Sequence, residues 1–148
     1  MLIEKRFMEE ALKEARAAAE AGEAPIGAVV VREGEIVSRA HNEIERSGDA
    51  SAHAELLALK RAAERLGTRY LTDCALYVTM EPCPMCAGAC LHFRTGAVVF
   101  GAYDERCGAF GSKLDLGNGE YGREIPVVGG MMKDECAEAL REFFKGIR

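Results

Sequence analysis

Apolar residues recur at helical spacing over residues 4–21, where Phe7, Leu12 and Ala15 fall near one face of a stretch otherwise rich in charge and alanine. The spacing predicts a helix, stopped by Gly22. The pattern then changes. PIGAVVV, residues 25–31, is a continuous apolar run of strand length. EGE at 33–35 supplies a turn, and IVSRAH returns as its hairpin partner. NEIERSGDAS is polar throughout and reads as loop. AHAELLALKRAAERL, residues 52–66, restores the helical period and ends at Gly67. CALYVT (74–79) and GAVVFGA (96–102) are further strands, with a short helix beginning near Pro84 between them. Residues 103–124, YDERCGAFGSKLDLGNGEYGRE, are glycine-rich and polar, long for a plain connection and therefore a candidate functional loop. IPVVGG is a short last strand and DECAEALREFFKGIR, residues 134–148, an amphipathic helix.

Five strands alternating with helices after an opening hairpin predict an α/β fold: a three-layer α/β/α arrangement around a central mixed five-stranded sheet. Residues 1–148 carry no repeat, low-complexity tract or linker, so a single domain is expected. In sheets of this kind ligands gather at the carboxyl ends of strands, beside helix N-termini.

Composition narrows the class. The first residues are charged throughout, without the apolar region of a signal peptide. No apolar run approaches the ~20 residues that span a bilayer. A cytoplasmic protein with no membrane partner is expected. In a reducing compartment the six cysteines read as metal ligands or reactive groups rather than disulfides. A net charge of −5 argues against tight nonspecific nucleic-acid binding and leaves room for a local basic patch. The terminal REFFKGIR places cations, Arg148 among them, where phosphates could meet them, although cations near a helix C-terminus are also the ordinary arrangement. Phe143 and Phe144 read as one core and one lip residue.

The candidate chemistry lies at two helix starts, in SAHAE and TMEPCPMCAG. Pro84 suits a first helical turn, and Cys83 and Cys86 then stand about one turn apart on one side. Both thiols reach a single ion, and the helix N-terminus favours their thiolate form. Of the three histidines, His53 opens the other helix and is the best third ligand; His41 qualifies only if it points to the same edge. Cys90 shares the helical face, but at a rise of about 1.5 Å per residue it lies about 10 Å along the axis from Cys83, too far for one tetrahedral ion. Three ligands leave a position open, which is the arrangement of catalytic rather than structural zinc. Glu55, two residues after His53, is placed as an acid–base group beside that position. Taken singly, Cys-x-x-Cys reads as packing or a redox pair and His-x-Glu as a solvated helix start; the combination points to metal.

His-Ala-Glu followed thirty residues later by Pro-Cys-x-x-Cys resembles the zinc-dependent cytidine and nucleoside deaminase superfamily. That resemblance implies zinc held by His53, Cys83 and Cys86, with Glu55 as the catalytic proton shuttle rather than a ligand. EAPIGAVVV, HNE, AHAELLALKRAAERLG, LYVTMEPCPMCAGA, VVFGAYDERCGAFGS and ECAEALREFF are further similar to the bacterial tRNA adenosine deaminases. Those enzymes convert the wobble adenosine of an arginine tRNA to inosine and are homodimers. The resemblance implies tRNA as partner, Asn42 as a contact to the purine base, and Asp104 near the flipped-out nucleotide. One stretch departs from that family: where it carries Asn-His-Arg, this chain reads LGNGEYGRE and keeps only Arg123. Deamination of a free purine or pyrimidine base or nucleoside, of guanine, adenine or cytosine type, is the alternative reading. A noncatalytic zinc module is the third, and Glu55 counts against it, because a structural site has no use for an acid two residues from its histidine.

Overall fold

The computed structural model describes residues 1–146; Arg148 and the end of the last expected helix lie outside them. The elements run α1 (Lys5–Glu20), β1 (Gly27–Arg32), β2 (Glu35–His41), α2 (Ile44–Ser47), α3 (Ala54–Leu66), β3 (Cys74–Met80), α4 (Pro84–His92), β4 (Ala97–Ala102), β5 (Val127–Gly129) and α5 (Lys133–Gly146). One five-stranded sheet has the order β2-β1-β3-β4-β5. β1 is antiparallel to both β2 and β3, whereas β3, β4 and β5 run parallel. The sheet is therefore mixed, as its sequence predicts. Glu33 and Gly34 both take positive φ (51° and 76°), the two-residue hairpin turn whose twist matches the strands it joins.

Alternation along the central strands supplies two apolar faces. Val30, Leu76, Val78, Val98 and Phe100 meet Ala54, Ala58, Leu59 and Ala87 of α3 and α4. Val29, Tyr77 and Val99 meet Phe7, Met8, Ala11 and Leu12 of α1, with Cys136 of α5 beside them. This is the expected three-layer α/β/α arrangement. The mainly small residues of α3 let that helix lie close to the sheet, which brings its first turn near the strand ends.

Two expectations are corrected. The polar stretch after β2 contains a turn of helix, α2, because the carboxylate of Glu23, itself 2% exposed, accepts the N–H groups of Glu45 (3.0 Å) and Arg46 (2.8 Å). A buried acid outside the segment caps it, which local pattern cannot reveal. Phe143 is half-buried and Phe144 46% exposed, so neither belongs to the core.

Gly27 marks the tightest approach of sheet and helix. A Cβ there would stand 2.2 Å from the Ala11 carbonyl oxygen and 2.4 Å from the Ala15 nitrogen, both backbone atoms of α1. Gly27→Ala is expected to destabilise the fold by about 1–3 kcal/mol, the range for overpacking a close-packed interior. A urea midpoint equal to that of the parent would contradict this close packing.

Candidate metal centre and active site

β2 ends at His41, β3 at Met80 and β4 at Ala102, and β1 begins opposite His41 at Gly27. These ends share one edge of the sheet. The residues that follow them, and the first residues of α3 and α4, build the site.

His53 occupies the cap position of α3, with extended backbone (φ −79°, ψ 147°), but its side chain does not cap the helix. Asn42 does so from the end of β2: the Ala54 N–H donates to Asn42 Oδ1 at 2.8 Å. One orphan donor of the first turn is thereby satisfied without the His53 side chain, whose ring faces away from its own helix. α4 starts in the same manner. Cys83 is at the cap position in extended backbone (φ −74°, ψ 173°), Pro84 is the first helical residue, and Cys86 comes one turn in.

The two starts converge. His53 Nδ1 lies 3.7 Å from Cys83 Sγ and 3.6 Å from Cys86 Sγ, and one ligand atom from each residue lies within 4.8 Å of the others. Tetrahedral geometry with Zn–S about 2.3 Å and Zn–N about 2.0 Å sets sulfur and nitrogen ligands about 3.6 Å apart, so the donor set fits zinc in both chemistry and spacing. A hydrogen bond from Cys86 and, behind it, His53 hold the Cys83 thiol down to about 4 against the opposing pull of burial. Thiolate is the form that ligates metal. His53 is shifted up, chiefly by its bond to Cys83.

Glu55 sits in the first turn of α3 and is 4% exposed. Burial pushes its carboxyl up to about 7, and its own backbone N–H and the nearby His53 offset only part of that. A carboxyl balanced near neutrality both accepts and releases a proton. Its oxygens are not part of the converging ligand group.

The remaining residues divide. Cys90 is fully buried in the core beneath α4, outside the ligand group. His41 turns to α1, its Nδ1 3.1 Å from Glu14 Oε1, and so does not join the triad. His92 closes α4 in a surface cleft of about 670 Å³ that contains none of the three ligands. Asn42 is buried, and its amide nitrogen has no hydrogen-bond partner among the described residues, so its N–H groups remain available as donors. Asp104 Oδ1 accepts the N–H groups of Arg106 and Cys107, each at 3.1 Å, in a side-chain turn. Sequence reasoning missed Glu81, 2% exposed beside the cysteine turn; an acid closing the apolar run of β3 was the available signal.

Residues 1–102 match the protein family described as the cytidine and deoxycytidylate deaminase zinc-binding region. The chain is 46% identical over 149 residues to the tRNA-specific adenosine deaminase of Bacillus subtilis, covering 100% of this chain and 92% of that protein. It superposes at a TM-score of 0.88, with 40% identity, on a tRNA:A34 deaminase studied for A-to-I editing at the wobble position of transfer RNA; the match covers 93% of this chain and 100% of that one. It is also similar to a guanine deaminase from Nitrosomonas europaea, at a TM-score of 0.83 and 26% identity over 97% of this chain and 85% of that one.

Purified protein is expected to carry about one zinc per chain, and His53→Ala or Cys86→Ala to lose it, because two protein ligands do not complete such a site. Elemental analysis of the folded variants checks this, and full occupancy in both would overturn the ligand set.

Proposed function

The chain belongs to the cytidine and deoxycytidylate deaminase family, and from that premise we propose that it hydrolyses adenosine to inosine in tRNA, at the wobble position of an arginine tRNA. It does so as a single deaminase domain, paired in a homodimer, in the cytoplasm. The observation that carries the reading is the meeting of His53, Cys83 and Cys86, with the buried carboxyl of Glu55 on the same first turn as His53, in a chain similar over its full length to a tRNA-specific adenosine deaminase. No helix of the described residues is long and apolar enough to cross a membrane.

His53, Cys83 and Cys86 would hold the zinc, which supplies Lewis acidity at the reacting centre. The reaction exchanges the amino group on C6 of adenine for oxygen, consuming one water and releasing one ammonia. A proton must leave the water and a proton must reach the departing amine. In this reading Glu55 carries both, and its carboxyl near 7 suits the exchange. Asn42 contributes to binding the base. Its Oδ1 is committed to the Ala54 N–H, which leaves its amide N–H groups to donate to ring nitrogens of the purine. Asp104 shapes the loop beside the flipped-out nucleotide through its side-chain turn. Homodimer formation is supported by α4, which is apolar yet leaves Met85 41% exposed and Gly88, Ala89 and Leu91 only partly covered.

A second reading, deamination of a free base such as guanine, is favoured by one feature: the Tyr121-Gly122-Arg123 stretch in place of Asn-His-Arg. Incubation with an arginine-tRNA transcript and, separately, with free guanine, adenine and cytosine decides between them. Inosine at the wobble position without ammonia from the free bases is the expected result; ammonia from a free base with unmodified tRNA would replace this reading by the second. In the same assay Glu55→Gln is expected to keep zinc and melting temperature while kcat falls about 10²–10⁴-fold, the usual worth of a positioned acid–base group. Undiminished turnover would remove Glu55 from the mechanism.

A further inference from the structure

Glu81 follows directly on β3, two residues before Cys83, and its carboxylate is a folding centre for the loop that follows β4. Oε1 accepts the Asp104 N–H (3.1 Å) and the Ser112 hydroxyl; Oε2 accepts the N–H groups of Phe110 (3.1 Å) and Ser112 (3.1 Å). Four donors fill both oxygens, which is the full acceptor capacity expected of a carboxylate at two bonds per oxygen. Gly108 makes room for it: a Cβ there would lie 2.3 Å from Glu81 Cδ. The loop is also joined to the ligand turn directly, since the Ala109 N–H donates to the Pro82 carbonyl at 2.9 Å. Its exposed residues, among them Tyr103 and Arg106, thus stand as a wall next to the ligand turn, with the Glu81 side chain at its centre.

We propose that Glu81 is a positioning residue for substrate: it prebuilds the loop wall that an RNA must lie against to bring a nucleotide to the metal centre. A polynucleotide meets the wall as well as the metal centre, so loss of the wall is felt in substrate capture. The chemistry, carried by groups on α3 and α4, is left intact. The capture part of the proposal rests on RNA being the substrate; the loop-folding part does not.

Glu81→Gln tests both. The amide keeps the shape but turns a donor toward N–H and hydroxyl donors, leaving buried groups unsatisfied. Arg106 and Lys113 are exposed trypsin sites within the loop, and their cleavage reports its local opening. Expected for zinc-loaded Glu81→Gln are unchanged zinc stoichiometry and cleavage at Arg106 and Lys113 faster by about tenfold or more, because the amide leaves buried N–H donors unsatisfied and the loop opens more often. With an anticodon stem-loop RNA of arginine tRNA, KM is expected to rise and kcat to hold. Parent-like cleavage would overturn the proposal, and so would lost zinc, which would place Glu81 at the metal instead. A lowered kcat at unchanged KM, the mark of a merely structural residue, would overturn it too. Ser112→Ala, which removes one donor and leaves the carboxylate in place, is expected to raise cleavage by a smaller factor in the same two bonds. It decides the loop-folding claim should Glu81→Gln fail to fold, and parent-like cleavage in it would then overturn that claim. If the RNA is not turned over by the parent protein, the functional reading fails while the cleavage comparison still decides the loop.

Discussion

The hydrogen bond from the Ala54 N–H to Asn42 Oδ1 is the contact on which the site depends. A helix start leaves its first N–H groups without partners, and the residue at the cap normally supplies the oxygen. Here the cap position belongs to His53, whose ring has other work. Satisfying the helix from the end of β2 releases that ring to face the cysteines, and it anchors α3 to the strand edge where α4 also begins. Two helix N-termini then meet at one place, where hydrogen bonds from Cys86 and His53 favour thiolate at Cys83. The same side chain keeps its amide N–H groups unspent, so one residue serves both the scaffold and, in our reading, the base.

Three buried glutamates surround this edge, and their hydrogen bonding separates their roles. Glu23 holds two backbone N–H groups of α2, and Glu81 holds three backbone N–H groups and a hydroxyl of the loop after β4. Both are fixed points that fold polar segments from outside them, as buried carboxylates must be if their desolvation is to be offset. Glu55 is the exception. Burial dominates over the groups that would stabilise its charge, and its carboxyl rises to about 7. The acid that is least compensated is the one that, in our reading, exchanges protons, and the two that are best compensated fold the polar segments near it.

Much of this was legible in the chain. Strongly patterned segments formed the elements they predict, because the helical spacing of α1 and α3 and the continuous apolar runs of β1 and β3 are local information. His53, Cys83 and Cys86 stood out because each falls at a helix start whose signals, Pro84 and the polar-to-apolar change before α3, are also local. What escaped was non-local. α2 depends on Glu23, some 22 residues earlier, and the α3 cap on Asn42, 12 residues earlier. The loop after β4 was recognisable as long and glycine-rich, but its centre is Glu81, 23 to 31 residues away from its partners. A single acid in an apolar motif gives no spacing to read, and only the folded chain shows which donors it collects.

The central claim is a zinc site with three protein ligands, two of them sulfur, and one position left for the reaction. X-ray absorption at the zinc edge of the purified protein measures that ligand set directly. The account predicts two sulfur neighbours at about 2.3 Å and two lighter nitrogen or oxygen neighbours at about 2.0–2.1 Å. A third sulfur, which only another cysteine such as Cys90 could provide, would close the site and contradict the account.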